Sequence, residues 1–135
     1  MVQPVKMFWA VAIGAAAGGI SRFYLTSFIQ QRAGVDFPAG TLMINITGSF
    51  LLGFLMRMAL QADIITPEFR ALLTTGFCGG YTTFSTFSYE TALLLEDGEY
   101  RRAALYIGAS VAISLAGTFL GFAAANRLLA LREVT

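Results

Sequence analysis

The chain has 135 residues, of which 56% are hydrophobic and only 13% are charged, about half the charged share of a typical soluble domain. This composition excludes a disordered chain and argues against a soluble enzyme. The formal net charge of +1 gives no indication of a nucleic-acid partner. The chain has no His and one Cys, Cys78, which excludes His-based acid–base chemistry, an internal disulfide and a Cys/His metal site.

Four uncharged runs predict four membrane spans, because about 20 apolar residues in a helix cross a bilayer. The first run, 7–21, has 15 residues and reaches spanning length if the Arg22 side chain extends to the far interface. The other runs, of 19, 19 and 23 residues, are 38–56, 71–89 and 103–125. We therefore predict an all-α membrane protein with a single transmembrane domain over residues 1–135. Its predicted helices are at about 7–29, 39–59, 68–95 and 102–126.

A cleaved signal peptide is the alternative interpretation of the first run, because Lys6 precedes an apolar stretch that is followed by small residues. The stretch continues to Leu25 without a clear stop, which favours a span. The predicted connections are short, at 30–38, 61–67 and 97–99. In the second of them, Thr66 is placed to cap a helix that has Pro67 at its first position.

The basic residues are divided almost equally between the two sides of the membrane. One side holds five of them, Lys6, Arg57, Arg70, Arg127 and Arg132, and the other holds four, Arg22, Arg32, Arg101 and Arg102. Because cytoplasmic flanks normally carry the excess of Lys and Arg, this split leaves the orientation undecided. The chain could insert in both orientations and pair with an inverted copy, and a single weakly biased orientation is an equal alternative.

Small residues indicate where helices approach closely. Glycine pairs occur on the first, second and fourth helices, at Gly14 and Gly18, Gly48 and Gly53, and Gly117 and Gly121. Residues of this size let helix backbones come together in lipid, and packing is the usual meaning of the pattern. Four short helices are too few to enclose a wide aqueous path, so an oligomer is expected.

The third span is unusual because two glycines, Gly79 and Gly80, are followed by a run of Thr and Ser in mid-membrane. Glycine weakens a helix by about 1 kcal/mol relative to Ala, and β-branched residues add to that weakness. We predict a break near 79–83, where backbone survives only if it is buried or lines a polar cavity. The alternative is a continuous helix whose hydroxyls bond back to its own carbonyls.

Polar residues on the other helices fall on shared faces at helical spacing. The second helix carries Thr41, Asn45 and Ser49, and the fourth carries Tyr106, Ser110, Ser114 and Thr118. Asn45 and Glu90 carry the most weight, since such side chains inside a membrane are costly and default to a functional interpretation. Apart from Glu90, the side chains on these faces are neutral hydrogen-bond donors, which suit a small polar or ionic permeant. Arg22 is either an interfacial anchor or a positive charge at a pore mouth.

The run 79–88, Gly-Gly-Tyr-Thr-Thr-Phe-Ser-Thr-Phe-Ser, resembles the signature GGxTTFSTFS of the bacterial Fluc/CrcB fluoride channels. The segments 74–78, 40–45 and 14–22 resemble the same family. The resemblance covers nearly the whole chain, including its length and its four-helix pattern. It implies a passive, fluoride-selective channel, not an enzyme, that exports fluoride across the bacterial inner membrane as a multi-pass protein.

The resemblance also implies an antiparallel, dual-topology homodimer with two separate fluoride pores. The broken third helices would cross at the centre and hold one structural Na+ through backbone carbonyls, which match Gly79 and Thr82 here. The two phenyl rings that face the pathway match Phe84 and Phe87, and the pore Asn matches Asn45. The polar track matches Tyr106, Ser110 and Ser114, with Thr41 and Glu90 beside it. Tyr81 occupies the variable position of the signature, and its role stays open.

Three other classes remain as alternatives. A proton-coupled fluoride exporter needs a membrane-embedded acid, for which Glu90 is the candidate, and its flux would depend on a proton gradient. A purely structural membrane subunit predicts no flux and leaves the run 82–88 unexplained. A membrane enzyme is disfavoured by the absence of His and of clustered carboxylates.

Overall fold

The computed structural model describes residues 3–61 and 65–132, and every regular element in these ranges is helical. In chain order the elements are α1 (Gln3–Ala33), α2 (Ala39–Gln61), α3 (Pro67–Ala71), a π-helical stretch (Leu72–Cys78), α4 (Gly79–Tyr81), α5 (Phe84–Glu96) and α6 (Tyr100–Arg132). The helices α1, α2 and α6 are each long and apolar enough to cross a membrane. The third span, 67–96, is divided, so the predicted pattern of four helices with a broken third is confirmed.

Local signals set the ends of these helices. The Thr66 hydroxyl accepts a hydrogen bond from the Phe69 N–H at 3.2 Å, and Pro67 begins α3, as predicted. Gly34 has φ +85°, a left-handed conformation that favours glycine, and it ends α1. α1 and α6 extend beyond their predicted ends. Of the predicted connection 61–67, residues 62–64 lie outside the described residues.

The α1 helix runs alongside the first half of the third span with almost no side chain between the two backbones. A Cβ atom on Gly14 would lie 2.1 Å from the Leu72 carbonyl oxygen, and one on Gly18 would lie 2.1 Å from the Phe77 carbonyl oxygen. A Cβ on Gly80 would in turn lie 2.5 Å from the Ala15 carbonyl oxygen. The predicted close approach of helices is therefore confirmed, and on α1 it joins two parts of the same chain.

The adjacent glycines Gly18 and Gly19 give a matched test of this seam. We expect Gly18→Ala to lower the free energy of unfolding by about 1–3 kcal/mol, because the new methyl group meets backbone that cannot move aside. Gly19→Ala should leave it unchanged or slightly raised, since a Cβ there has no neighbour within 4 Å among the described residues. Denaturant titration of both variants in detergent would check this, and equal midpoints for the two would contradict the seam.

A second close contact joins α2 to α6, which run in the same direction. A Cβ atom on Gly53 would lie 2.5 Å from the Thr118 carbonyl oxygen, and one on Gly121 would lie 2.3 Å from the Phe50 carbonyl oxygen. The polar faces of α2 and α6 are thereby held side by side. Asn45 and Ser49 lie near Ser110 and Ser114 as a result.

The break in the third span falls at Thr82 and Thr83, inside the predicted range 79–83. Both residues are extended, with ψ 160° at Thr82 and φ −152° at Thr83, and α5 begins with the next residue. The Thr83 hydroxyl caps α5 by accepting from the Thr86 N–H at 3.2 Å. The π-helical stretch 72–78 before the break was not predicted. Such stretches are frequent at functional sites.

The second half of the third span is loosely covered within a single chain. No residue of α5 is fully buried, and Phe84 at its start is 78% exposed. Gly79, just before the break, is exposed as well. Exposed residues therefore flank the break on both sides, although Thr83 itself is buried, and they border a face of α5 that this chain leaves uncovered.

Candidate functional site

A cavity of about 270 Å³ lies between the break, α2 and α6. Five of the residues that the resemblance places on the fluoride pathway line it, namely Asn45, Phe84, Phe87, Ser110 and Ser114. The remaining lining residues are Gly48, Ser49, Leu52, Thr82, Thr83 and Val111. Residues from three separate parts of the chain thus meet at one cavity beside the break. We call it the break cavity.

Asn45 holds the break in place from α2. Its Oδ1 accepts the Thr83 backbone N–H at 2.8 Å, and its Nδ2 donates to the Thr83 carbonyl oxygen at 3.0 Å. Thr83 is only 7% exposed, so its backbone groups need these partners where the helix ladder stops. An Asn amide has two N–H donors, and one of them remains for the cavity.

This pairing also frees two carbonyl groups. In a continuous helix the Thr83 N–H would bond to the Gly79 carbonyl, and the Thr86 N–H would bond to the Thr82 carbonyl. Instead, the first donates to Asn45 and the second to the Thr83 hydroxyl. The carbonyls of Gly79 and Thr82 consequently lose their helical partners, and these are the two acceptors that the resemblance assigns to Na+.

Two hydroxyls in the break cavity are unpaired. The Oγ atoms of Ser110 and Ser114 are buried and have no hydrogen-bond partner among the residues that the structure describes. A hydroxyl side chain in a helix can usually donate to the backbone carbonyl one turn earlier. The Thr118 hydroxyl does so to the Ser114 carbonyl oxygen at 3.2 Å. Because an unpaired buried hydroxyl costs about 1–3 kcal/mol, the two serines present donors that a ligand can satisfy.

Two phenyl rings form one wall of the cavity. The ring centroids of Phe84 and Phe87 are 5.5 Å apart with an interplanar angle of 44°. The Phe87 ring lies 5.1 Å from the Tyr106 ring. Phe87 therefore separates the break cavity from Tyr106, which lies one helical turn before Ser110 on α6.

Glu90 forms a hydrogen-bonded cluster with Thr41 and Tyr106 beyond the rings. Its Oε1 accepts from the Thr41 hydroxyl at 2.9 Å, and its Oε2 accepts from the Tyr106 hydroxyl at 2.6 Å. Both donors are fully buried. In this state the Thr41 and Tyr106 hydroxyls are engaged by the carboxylate, whereas those of Ser110 and Ser114 are not.

A further cavity of about 340 Å³ borders Glu90 on the side of the α1–α2 loop. Its lining includes Gln30, Asp36, Glu90 and Asp97. The Glu90 cluster thus lies between this cavity and the break cavity. The predicted track residues are divided into two groups along α6, with Ser110 and Ser114 at one cavity and Tyr106 in the cluster.

Arg22 does not line the break cavity. It borders a separate cavity of about 210 Å³ on the α1 side of the break, together with Thr41, Thr83 and Thr86. A guanidinium in that position adds positive charge close to the break.

Some residues of the site were not predicted from the sequence. Thr83 is central because it both caps α5 and binds Asn45, yet as one hydroxyl residue among several its sequence context did not distinguish it. Tyr81, whose role was left open, is buried with its hydroxyl 3.0 Å from the Thr47 hydroxyl. Its ring stacks on Phe77 at 5.8 Å, so it anchors the end of α4 against α2.

A known protein family matches most of the chain. The family model described as CrcB-like protein, Camphor Resistance (CrcB) matches residues 9–122. A relative from Geobacter sulfurreducens named fluoride-specific ion channel FluC is 49% identical over 119 residues, 88% of this chain and 96% of the relative. A relative of the same name from Chlorobaculum tepidum is 48% identical over 87% of this chain and 92% of the relative. Another from Thermococcus gammatolerans is 46% identical over 90% of this chain and 98% of the relative.

These names are those of ion channels, in agreement with the prediction that the chain is not an enzyme. The family match covers the signature run 79–88, the break and the residues of the break cavity. The chain is a multi-pass membrane protein that belongs to the CrcB family.

Proposed function

We propose that the chain forms a fluoride-selective ion channel, which lets fluoride leave the cytoplasm passively and so lowers its toxicity. The observation that carries this proposal is the break cavity, where two buried serine hydroxyls without partners among the described residues lie beside two phenyl rings. The names of relatives 46% to 49% identical to this chain support the same function.

The donors in the cavity suit a small anion. Fluoride is strongly hydrated, so a pore has to replace its water with compact hydrogen-bond donors. Ser110, Ser114 and the remaining N–H of Asn45 can supply such donors without a formal charge. Weak sites in series allow an ion both to enter and to leave, as a channel requires.

The positively polarised edges of the two phenyl rings attract an anion more strongly than a cation in the cavity. A phenyl ring is positive at its edge and negative on its face. The Phe84 and Phe87 rings can therefore meet an anion with their edges, and they narrow the passage against larger halides. Because Phe87 lies between the break cavity and Tyr106, its ring is the next contact along the proposed path.

The functional unit in this proposal is an antiparallel homodimer with two pores in the bacterial inner membrane. Irregular backbone at membrane depth is tolerated only where protein or a polar cavity covers it. In one chain Thr83 is buried, but Gly79 and Phe84 on either side of the break are exposed. A second copy placed on this face would cover it, and the five-to-four division of basic residues permits the inverted orientation.

The proposal includes one structural Na+ held by the Gly79 and Thr82 carbonyls of both copies. These carbonyls fit a hard cation, because oxygen ligands suit such ions and their helical donors are engaged elsewhere. When bound, the ion supplies a fixed positive charge at the centre of the dimer. The chain's own part is to hold the break open, which Asn45 and the Thr83 hydroxyl do.

Removal of Na+ should weaken the dimer, because an ion that binds only the assembled pair stabilises it by mass action. We expect the dimer fraction at limiting protein in the membrane to fall when Na+ is replaced by N-methylglucamine. Subunit counting of labelled protein in liposomes would measure it. A dimer fraction independent of Na+ over a thousandfold range of concentration would contradict the proposed ion.

The function is tested by fluoride efflux from liposomes that contain the purified protein, are loaded with potassium fluoride and are supplied with Na+. A fluoride electrode follows the release, and valinomycin carries the compensating current. We expect fast efflux that requires valinomycin, with no matching chloride efflux. Efflux without valinomycin that follows a pH gradient would instead indicate a proton-coupled exporter, with Glu90 as the coupling acid.

Ser110→Ala should separate function from folding. Its buried hydroxyl has no partner among the described residues, so its removal should leave the free energy of unfolding unchanged or slightly raised. Fluoride efflux should fall roughly tenfold, because the dehydrated ion loses one donor. Ser27→Ala is the control, since the Ser27 hydroxyl donates to the Phe23 carbonyl on its own helix. Equal efflux for the two variants would remove Ser110 from the pathway.

A further inference from the structure

One glutamine closes the loop between α1 and α2. The Nε2 of Gln30 donates to the Phe37 carbonyl at 2.9 Å and also to the Gly34 carbonyl. Its Oε1 accepts the Gly40 N–H at 3.1 Å. A single side chain on α1 therefore binds the loop at its beginning, Gly34, and near its end, Phe37. It also binds the first turn of α2 at Gly40.

The two segments that Gln30 holds lead directly to the Glu90 cluster. Gly40 precedes Thr41, whose hydroxyl donates to Glu90. Phe37 packs edge-on against the Tyr106 ring with the centroids 5.5 Å apart and an interplanar angle of 79°. The Tyr106 hydroxyl is the other donor to Glu90. Both hydroxyl partners of Glu90 are thus adjacent to backbone that Gln30 fixes.

The start of α2 packs closely against α1, so it has little room to move. A Cβ atom on Gly40 would lie 2.6 Å from the Thr26 carbonyl oxygen, so the start of α2 lies directly against the α1 backbone. Gln30, one turn after Thr26, holds it there. Gln30 and Glu90 also line the same cavity of about 340 Å³.

We propose that Gln30 is a positioning residue for the Glu90 cluster, which it acts on through Thr41 and through the contact of Phe37 with Tyr106. The proposal rests on the proposed channel function, in which the Glu90 cluster lies on the fluoride pathway. Gln30 does not touch the break cavity, and its effect on permeation is indirect. Without it, the loop would loosen and both donors to Glu90 would lose their fixed positions.

The test compares Gln30→Leu with Gln31→Leu, which makes the same change at the next residue. Gln31 is exposed on the outer face of α1 and is not part of the loop bonding described above. Fluoride efflux and hydrogen–deuterium exchange are measured on the assembled protein in liposomes. For Gln30→Leu we expect efflux to fall roughly tenfold and exchange to rise both in residues 37–41 and in α5 around Glu90. Gln31→Leu should change neither quantity.

Exchange that rises in the loop alone, or efflux that falls with unchanged exchange around Glu90, would overturn the proposal. Unaltered efflux in a protein whose loop exchange has risen would overturn it as well. If the wild type itself gives no efflux, the channel function fails, while the exchange arm still decides whether Gln30 positions the cluster. If Gln30→Leu does not assemble, Gln30→Ala replaces it, because alanine also loses the three hydrogen bonds of Gln30 and adds no charge to a cavity that already holds Asp36, Glu90 and Asp97.

Discussion

Replacement of Asn45 by Ala is expected to abolish fluoride efflux, with a loss of roughly a hundredfold or more. The Asn45 amide makes two hydrogen bonds to the buried backbone of Thr83. Its loss leaves one donor and one acceptor unpaired at a cost of about 1–3 kcal/mol each. We therefore expect both the free energy of unfolding and the flux to fall, because the same side chain holds the break and offers a donor to the cavity.

Asn45→Asp tests the cavity by charge. A carboxylate keeps the acceptor for the Thr83 N–H, but its second oxygen replaces the Nδ2 donor and faces the Thr83 carbonyl oxygen, so at most one of the two bonds to Thr83 survives. Its negative charge at the cavity should still block an anion. Asn126→Ala, at an exposed position near the end of α6, is the control and should behave like the wild type. Unfolding midpoints and valinomycin-dependent efflux check the series, and conducting Asn45→Asp protein would contradict the cavity as an anion pathway.

Phe84→Ile should also reduce fluoride efflux strongly, by roughly tenfold or more, while it leaves the folded chain intact. The ring is 78% exposed in a single chain, so its removal costs the fold little. The loss would instead come from the missing ring edge at the cavity. Efflux measured on protein verified to be assembled is the readout.

Phe119→Ile makes the same substitution at an exposed phenylalanine of α6, whose ring contacts that of Phe122. We expect wild-type efflux from this control. Wild-type efflux from an assembled Phe84→Ile dimer would remove that ring from the mechanism and leave the hydroxyls as the selective element.

The helices and the break could be predicted from the sequence because their signals are local. Uncharged runs of 19 to 23 residues mark three of the spans, and two glycines before a run of β-branched and hydroxyl residues weaken one helix at one place. The ends of α1 and α6 were predicted too short. Lys6 and Arg127 lie just outside the predicted bounds 7–29 and 102–126, yet a helix can continue past the apolar core, since its backbone bonds do not depend on lipid.

The partners of the polar residues could not be predicted from the sequence in the same way. Asn45 was expected to face the pathway, but its bonds to the Thr83 backbone depend on how α2 meets the break. Glu90 was expected beside the polar track, and its two hydroxyl partners come from different helices. Gln30 gave no signal, because a glutamine near a helix end is ordinary until the loop folds over it.

The two anchors of α5 have a geometric consequence. Thr83 and Glu90 are seven residues apart, two helical turns, and their partners Asn45 and Thr41 are one turn apart on the same face of α2. Two fixed points on one side of a helix set its rotation about its own axis as well as its location. The orientation of α2 therefore determines the directions in which the Phe84 and Phe87 rings of α5 point. A small rotation of α2 about its axis would rotate α5 and turn both rings together.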